Sequence, residues 1–74
     1  MKNKVSGIRV ALGYTQQEMA NKFGISRQAY WNKENGKTAF TDREKEVFTK
    51  LAKRVFPRIL IEVIFFGNEV WRIK

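Results

Sequence analysis

The stretch Thr15-Gln16-Gln17-Glu18-Met19-Ala20-Asn21-Lys22-Phe23-Gly24-Ile25-Ser26-Arg27-Gln28-Ala29-Tyr30-Trp31-Asn32-Lys33-Glu34-Asn35-Gly36 encodes two short helices and a tight turn between them. Thr15 stands three residues before Glu18, so hydroxyl and carboxylate can each satisfy a free backbone N–H of the first helical turn, as in a capping box. Met19, Ala20 and Phe23 then recur on one helical face, which predicts a helix over 16–23. Gly24 ends it, Ile25 plugs inward, and Ser26 can cap the next helix by accepting a bond from an N–H two or three residues on. That helix carries Arg27 to Glu34, with Asn35-Gly36 as its stop. Two short helices separated by three or four residues must cross steeply.

Working outward, Val5, Ile8 and Leu12 repeat at helical spacing before Gly13, which predicts a helix over about 3–12. Beyond the polar linker Lys37 to Phe40, Thr41 and Glu44 form a second capping box. Val47, Phe48, Leu51, Ala52 and Val55 follow on one face, so a helix is expected over about 42–55, halted by Pro57. The apolar segment 59–74 has two readings. Its β-branched and aromatic residues around Gly67-Asn68 fit a two-stranded hairpin, while a short fifth helix at about 60–66 competes with it.

A chain of 74 residues can bury only about 60% of its unfolded surface, which points to one domain over 1–74 with a single core. Its 43% hydrophobic content suffices to close that core. Fifteen Lys and Arg against seven Asp and Glu give +8, a balance that attracts polyanions such as nucleic acid or an anionic membrane face. Cys and His are absent, which removes disulfides, the commonest metal ligands and the commonest general base. The acids Glu18, Glu34, Asp42, Glu44, Glu46, Glu62 and Glu69 are scattered among bases and read as a solvated or salt-bridged face. The expectation is therefore a protein that is not an enzyme and holds no cofactor or metal. No apolar stretch of signal-peptide length follows the N-terminus, and the run Ile59 to Phe66 is far below the roughly 20 residues that span a bilayer, so a cytoplasmic protein of a bacterial cell is expected, with no membrane partner.

Leu12-Gly13-Tyr14-Thr15-Gln16-Gln17-Glu18-Met19-Ala20, followed by Gly24-Ile25-Ser26-Arg27-Gln28 and Glu34-Asn35-Gly36-Lys37, resembles the phage Cro and repressor helix-turn-helix family over about residues 5–56. The resemblance implies an all-α, compact four- to five-helix lambda-repressor-like DNA-binding domain, with a helix-turn-helix at 16–35 and a short C-terminal tail or hairpin. It favours helix over hairpin at 60–66, where local propensity leans the other way. Ala20 would let the two helices approach, Gly24 permit the turn and Ile25 seal it.

Carried over residue by residue, the resemblance places base contacts on Arg27, Gln28 and Asn32, with Ala29 against a thymine methyl. The chemistry suits: Arg pairs with guanine O6 and N7, Gln with adenine N6 and N7, and Asn32 lies one turn beyond Gln28. Phosphate contacts fall on Gln16, at the positive end of its helix, and on Asn35 and Lys37. Ser26 caps beside the same backbone, and Arg9 matches a residue that bridges to Glu34 while its outer edge faces a phosphate. Two residues depart from the family pattern. Lys33 stands where an apolar residue is usual, although its stem can lie along apolar surface. Trp31 is a large aromatic beside the reading face, with three readings: packing on sugar and phosphate, stacking on an aromatic neighbour, or contacting a protein. Tyr30 occupies the inward position. The implied function is a transcriptional regulator, a Cro-like repressor that binds double-stranded operator DNA as a homodimer; the apolar C-terminal segment, with Phe65, Phe66, Val70, Trp71 and Ile73, supplies candidate interface residues, of which Phe65 is equally a candidate for the core. The alternative is a modulator of the same fold that binds a phage repressor protein through Trp31 and Lys33.

Overall fold

The computed structural model describes residues 4–65. They form five helices: α1 Lys4–Leu12, α2 Gln16–Phe23, α3 Arg27–Glu34, α4 Asp42–Ala52 and α5 Ile61–Phe65. Each of the three central helices begins on a hydroxyl cap. The Glu18 N–H donates to Thr15 Oγ1 at 3.1 Å, and the Thr15 N–H donates to Glu18 Oε1 at 2.8 Å. Thr41 and Glu44 repeat this pair at 3.1 and 2.9 Å. Ser26 Oγ accepts from the Ala29 N–H at 3.1 Å. These bonds satisfy donors that helix geometry leaves free.

Glycine closes α2 and α3 in the same way. Gly24 sits at φ 71°, and the N–H groups of Gly24 and Ile25 donate to Asn21 O and Ala20 O at 3.2 and 3.0 Å. After α3, Gly36 sits at φ 80°, while the Gly36 and Lys37 N–H groups return to Lys33 O and Asn32 O at 3.2 and 2.8 Å. This pairing consumes two of the carbonyls a helix end would otherwise leave unpaired, and it requires a left-handed residue, which glycine adopts without a Cβ penalty.

The core is built from one face of each helix: Val5 and Ile8 from α1, Met19, Ala20 and Phe23 from α2, Tyr30 from α3, Phe48 and Ala52 from α4, and Ile64 from α5. Leu12, Ile25, Val47 and Leu51 pack against it while partly buried. An aromatic chain runs through this core, with Phe40 5.4 Å from Phe65 and 6.1 Å from Phe23, and Phe65 5.9 Å from Phe48, all close to edge-to-face. α2 and α3 pack on each other, while α1, α4 and α5 pack mutually, and the two groups share the core described above.

One expectation is corrected, and one pair of open readings is decided. α4 ends at Ala52, not at 55. Beyond it the Arg54 and Val55 N–H groups reach back only three residues, to Leu51 O and Ala52 O at 3.0 and 3.1 Å. Phe56 precedes Pro57 and is pushed out of helical geometry, so the chain tightens into a turn, and Val55 is 41% exposed instead of buried. Of the two readings of the C-terminal segment, the segment from Ile61 to Phe65 is helical, the one the resemblance favours, and these residues do not form the first strand of a hairpin. Ile64 is 6% exposed and Phe65 docks between Phe40 and Phe48, a pairing of adjacent core contacts that overrides β propensity. The Gly67-Asn68 turn and Phe66, Val70, Trp71 and Ile73 lie outside the described residues.

Candidate nucleic-acid interface

α3 turns one face inward and the opposite face to solvent. Inward, Tyr30 is fully buried and its hydroxyl donates to Glu34 Oε2 at 2.8 Å, one turn on. Arg9 of α1 donates through Nε to the same oxygen at 2.7 Å and through Nη2 to Oε1 at 3.4 Å, while its Nη1 donates to Tyr14 O at 2.9 Å. Gln16 of α2 donates through Nε2 to Glu34 Oε1 at 2.9 Å. One carboxylate thereby joins α1, α2 and α3.

The electrostatics follow from this convergence. Burial pushes the Glu34 carboxyl up, but the hydrogen bonds from Arg9, Gln16 and Tyr30 outweigh it and hold the group below the ordinary carboxylate range. Its hydrogen bond holds the Arg9 guanidinium above its usual value, against the opposing effect of burial. Burial, with the hydrogen bond to Glu34, raises the Tyr30 hydroxyl strongly, so it is a donor at any ordinary pH. A buried ion pair of this kind fixes geometry more reliably than it adds stability.

Outward, Arg27 and Gln28 are exposed and Ala29 and Asn32 half-buried. Gln28 Nε2 donates to Asn32 Oδ1 at 3.2 Å, which steadies two amides one turn apart and leaves the Gln28 carbonyl and the Asn32 amide donors to face a partner. Ser26, exposed, spends its oxygen as the cap of this helix. At the far end Asn35 Nδ2 donates to Trp31 O at 2.9 Å, and Lys37 Nζ stands 5.9 Å from the centroid of the half-buried Trp31 ring. Lys37 itself is exposed.

The Arg9–Glu34 bridge is the one the resemblance implied, while the other placements were not foreseeable. Gln16 is directed at Glu34 and Arg9 is engaged on every nitrogen, so both act on the interface from within. Lys33 turns toward α4, where Nζ lies 2.9 Å from Glu44 Oε1 and 3.0 Å from Ala39 O. Lys22 caps the Tyr14 ring at 4.7 Å, and Arg54 Nη1 donates to the Tyr14 hydroxyl at 3.0 Å. The Tyr30–Glu34 pair had a signal in its i, i+4 spacing, and the Arg9–Glu34 bridge had one in the family resemblance; the Gln16, Lys33 and Arg54 contacts had none.

The surface that remains is electropositive. Glu18 is spent on a cap, and Glu34 and Glu44 are spent in ion pairs, while Lys22, Arg27 and Lys37 remain exposed on the same helix-turn-helix and its linker. Such a surface binds polyanions. Among the described residues no group of three or more acidic, His or Cys side chains could hold a metal ion, and no helix is long and apolar enough to cross a membrane. A family model described as helix-turn-helix matches residues 7–44. No curated protein and no solved structure matches the chain.

Proposed function

Because the chain belongs to the helix-turn-helix family of the Cro and repressor type, a family of DNA-binding transcription regulators, we propose that it is a phage or prophage Cro-like repressor that binds an operator through the major groove in the bacterial cytoplasm. The observation that carries this reading is the solvent-facing Arg27–Gln28–Asn32 face, braced from behind by Arg9, Gln16 and Tyr30 converging on Glu34. Arg27, Gln28 and Asn32 read base edges, with Ala29 against a thymine methyl. Lys37, Asn35, Ser26 and Trp31 lie against the sugar-phosphate backbone, the α2 N-terminus at Gln16 faces it, and Arg9 supports the contact from within through Glu34.

One recognition helix reads too few bases for useful specificity, so the operator is a paired site with half-sites about 10 base pairs apart, bound by a homodimer. The exposed apolar side chains Val55, Phe56, Leu60 and Val63, on α5 and the turn before it, suit a protein contact away from α3. Selection of bound duplexes from a random-sequence pool with the purified protein tests the reading. Enrichment of a two-fold symmetric site supports it, and failure to enrich any motif overturns it.

A further inference from the structure

Lys33 joins the last turn of α3 to the first turn of α4, and the base and phosphate contacts above do not use it. Its ammonium lies 2.9 Å from Glu44 Oε1, 3.0 Å from Ala39 O and 6.0 Å from the centroid of the Phe40 ring. The two charged side chains are only 14% and 11% exposed. Glu44 Oε1 at the same time accepts the Thr41 N–H at 2.9 Å, so one carboxylate oxygen fastens both Lys33 and the start of α4. The other end of the linker is fastened as well, since the N–H groups of Lys37 and Thr38 both point to Asn32 O, at 2.8 and 3.3 Å.

We infer that Lys33 is a positioning residue for DNA binding, its bridge to Glu44 and Ala39 latching the 37–41 linker so that Lys37 is held against the phosphate backbone. The inference rests on the operator-binding reading. An apolar side chain at position 33 could cover Phe40 but could hold neither the Ala39 carbonyl nor the Glu44 carboxylate. Burial pushes the Glu44 carboxyl up, yet the bonds from Thr41 and Lys33 win and keep it below the usual carboxylate range, so the partner of the latch stays charged. A lysine this enclosed could reach a phosphate only by leaving a carboxylate and a carbonyl, and a direct contact and a latch therefore predict opposite outcomes.

The test uses the full chain, the duplex selected above and four substitutions, two of them also combined. Glu44→Gln retains the capping box, because Gln serves at that position as Glu does, and it adds one unit of positive net charge, which alone would tighten binding to a polyanion. The latch predicts that it weakens binding several-fold. Lys33→Met should also weaken binding several-fold and reduce the salt slope by about one phosphate, but should do neither in a Lys37→Ala background. Lys33→Arg should restore both. In the free protein, Lys33→Met should speed amide exchange at Lys37 and Thr38 several-fold while exchange in the core helices is unchanged. Tighter binding by Glu44→Gln, or an equal loss of slope in both backgrounds, would overturn the latch in favour of direct phosphate contact. Unchanged amide exchange would overturn it without reference to DNA, whereas a wild-type chain that binds no duplex overturns the operator reading, so the two failures are distinguishable.

Discussion

Truncating Glu34 would leave the Arg9 guanidinium and the fully buried Tyr30 hydroxyl without their shared acceptor. Glu34→Ala should cost about 3–5 kcal/mol, the usual penalty for breaking one side of a buried pair, measurable as a fall in the urea midpoint at unchanged slope. The pH dependence has a definite sign. Glu34 and Glu44 have carboxyl groups held below their ordinary value, so their contribution is fully present above about pH 5 and is lost as pH falls through the depressed folded values. Unfolding midpoints measured from neutral pH downward should drop steeply on the acid side, and the Glu34→Gln, Glu44→Gln double variant should show a shallower drop. At this scale the pairing of Gln28 with Asn32 was legible, because the two are one helical turn apart and their relation is local. The inward turn of Gln16 and Lys33 was not, since each finds its carboxylate on another element, and no spacing rule encodes a tertiary contact.

The helix-turn-helix geometry depends on two small residues. Gly24 stands at φ 71° with nothing within 4 Å of where a Cβ would sit, so Gly24→Ala should cost about 1–2 kcal/mol from backbone strain alone. Ala20 is fully buried where α2 meets the core, and Ala20→Leu should cost about 1–3 kcal/mol by overpacking. Thermal melts of both variants check the pair, and a Gly24→Ala protein as stable as wild type would contradict the left-handed turn. Element starts were readable because each is a local cap, at Thr15, Ser26 and Thr41. The end of α4 was not. Val55 continues the apolar stripe in sequence, yet the tightening ahead of Pro57 carries it away from the core. The helix at Ile61–Phe65 was legible only through the family resemblance, against local β propensity, and it is held by Phe65, whose partners Phe40 and Phe48 lie well earlier in the chain.

Across the whole molecule, the net charge of +8 acts through the bases that are not paired internally. Lys37→Ala should weaken binding to all duplexes alike and reduce the salt slope by about one phosphate. The proposed dimer contact is assigned to the other end, where Leu60 is 56% exposed; Leu60→Glu should leave the melting temperature nearly unchanged while weakening binding to the full two-half-site operator more than to a single half-site. The central claim is that the outer face of α3 reads DNA. It is tested most directly by titrating the Arg27→Ala, Gln28→Ala double variant against the selected operator and against an unrelated duplex at one salt concentration. The account predicts a loss of about 2–6 kcal/mol on the operator, at 1–3 per base-reading side chain, with a much smaller change on the unrelated duplex. Equal affinity of variant and wild type for the operator would contradict it.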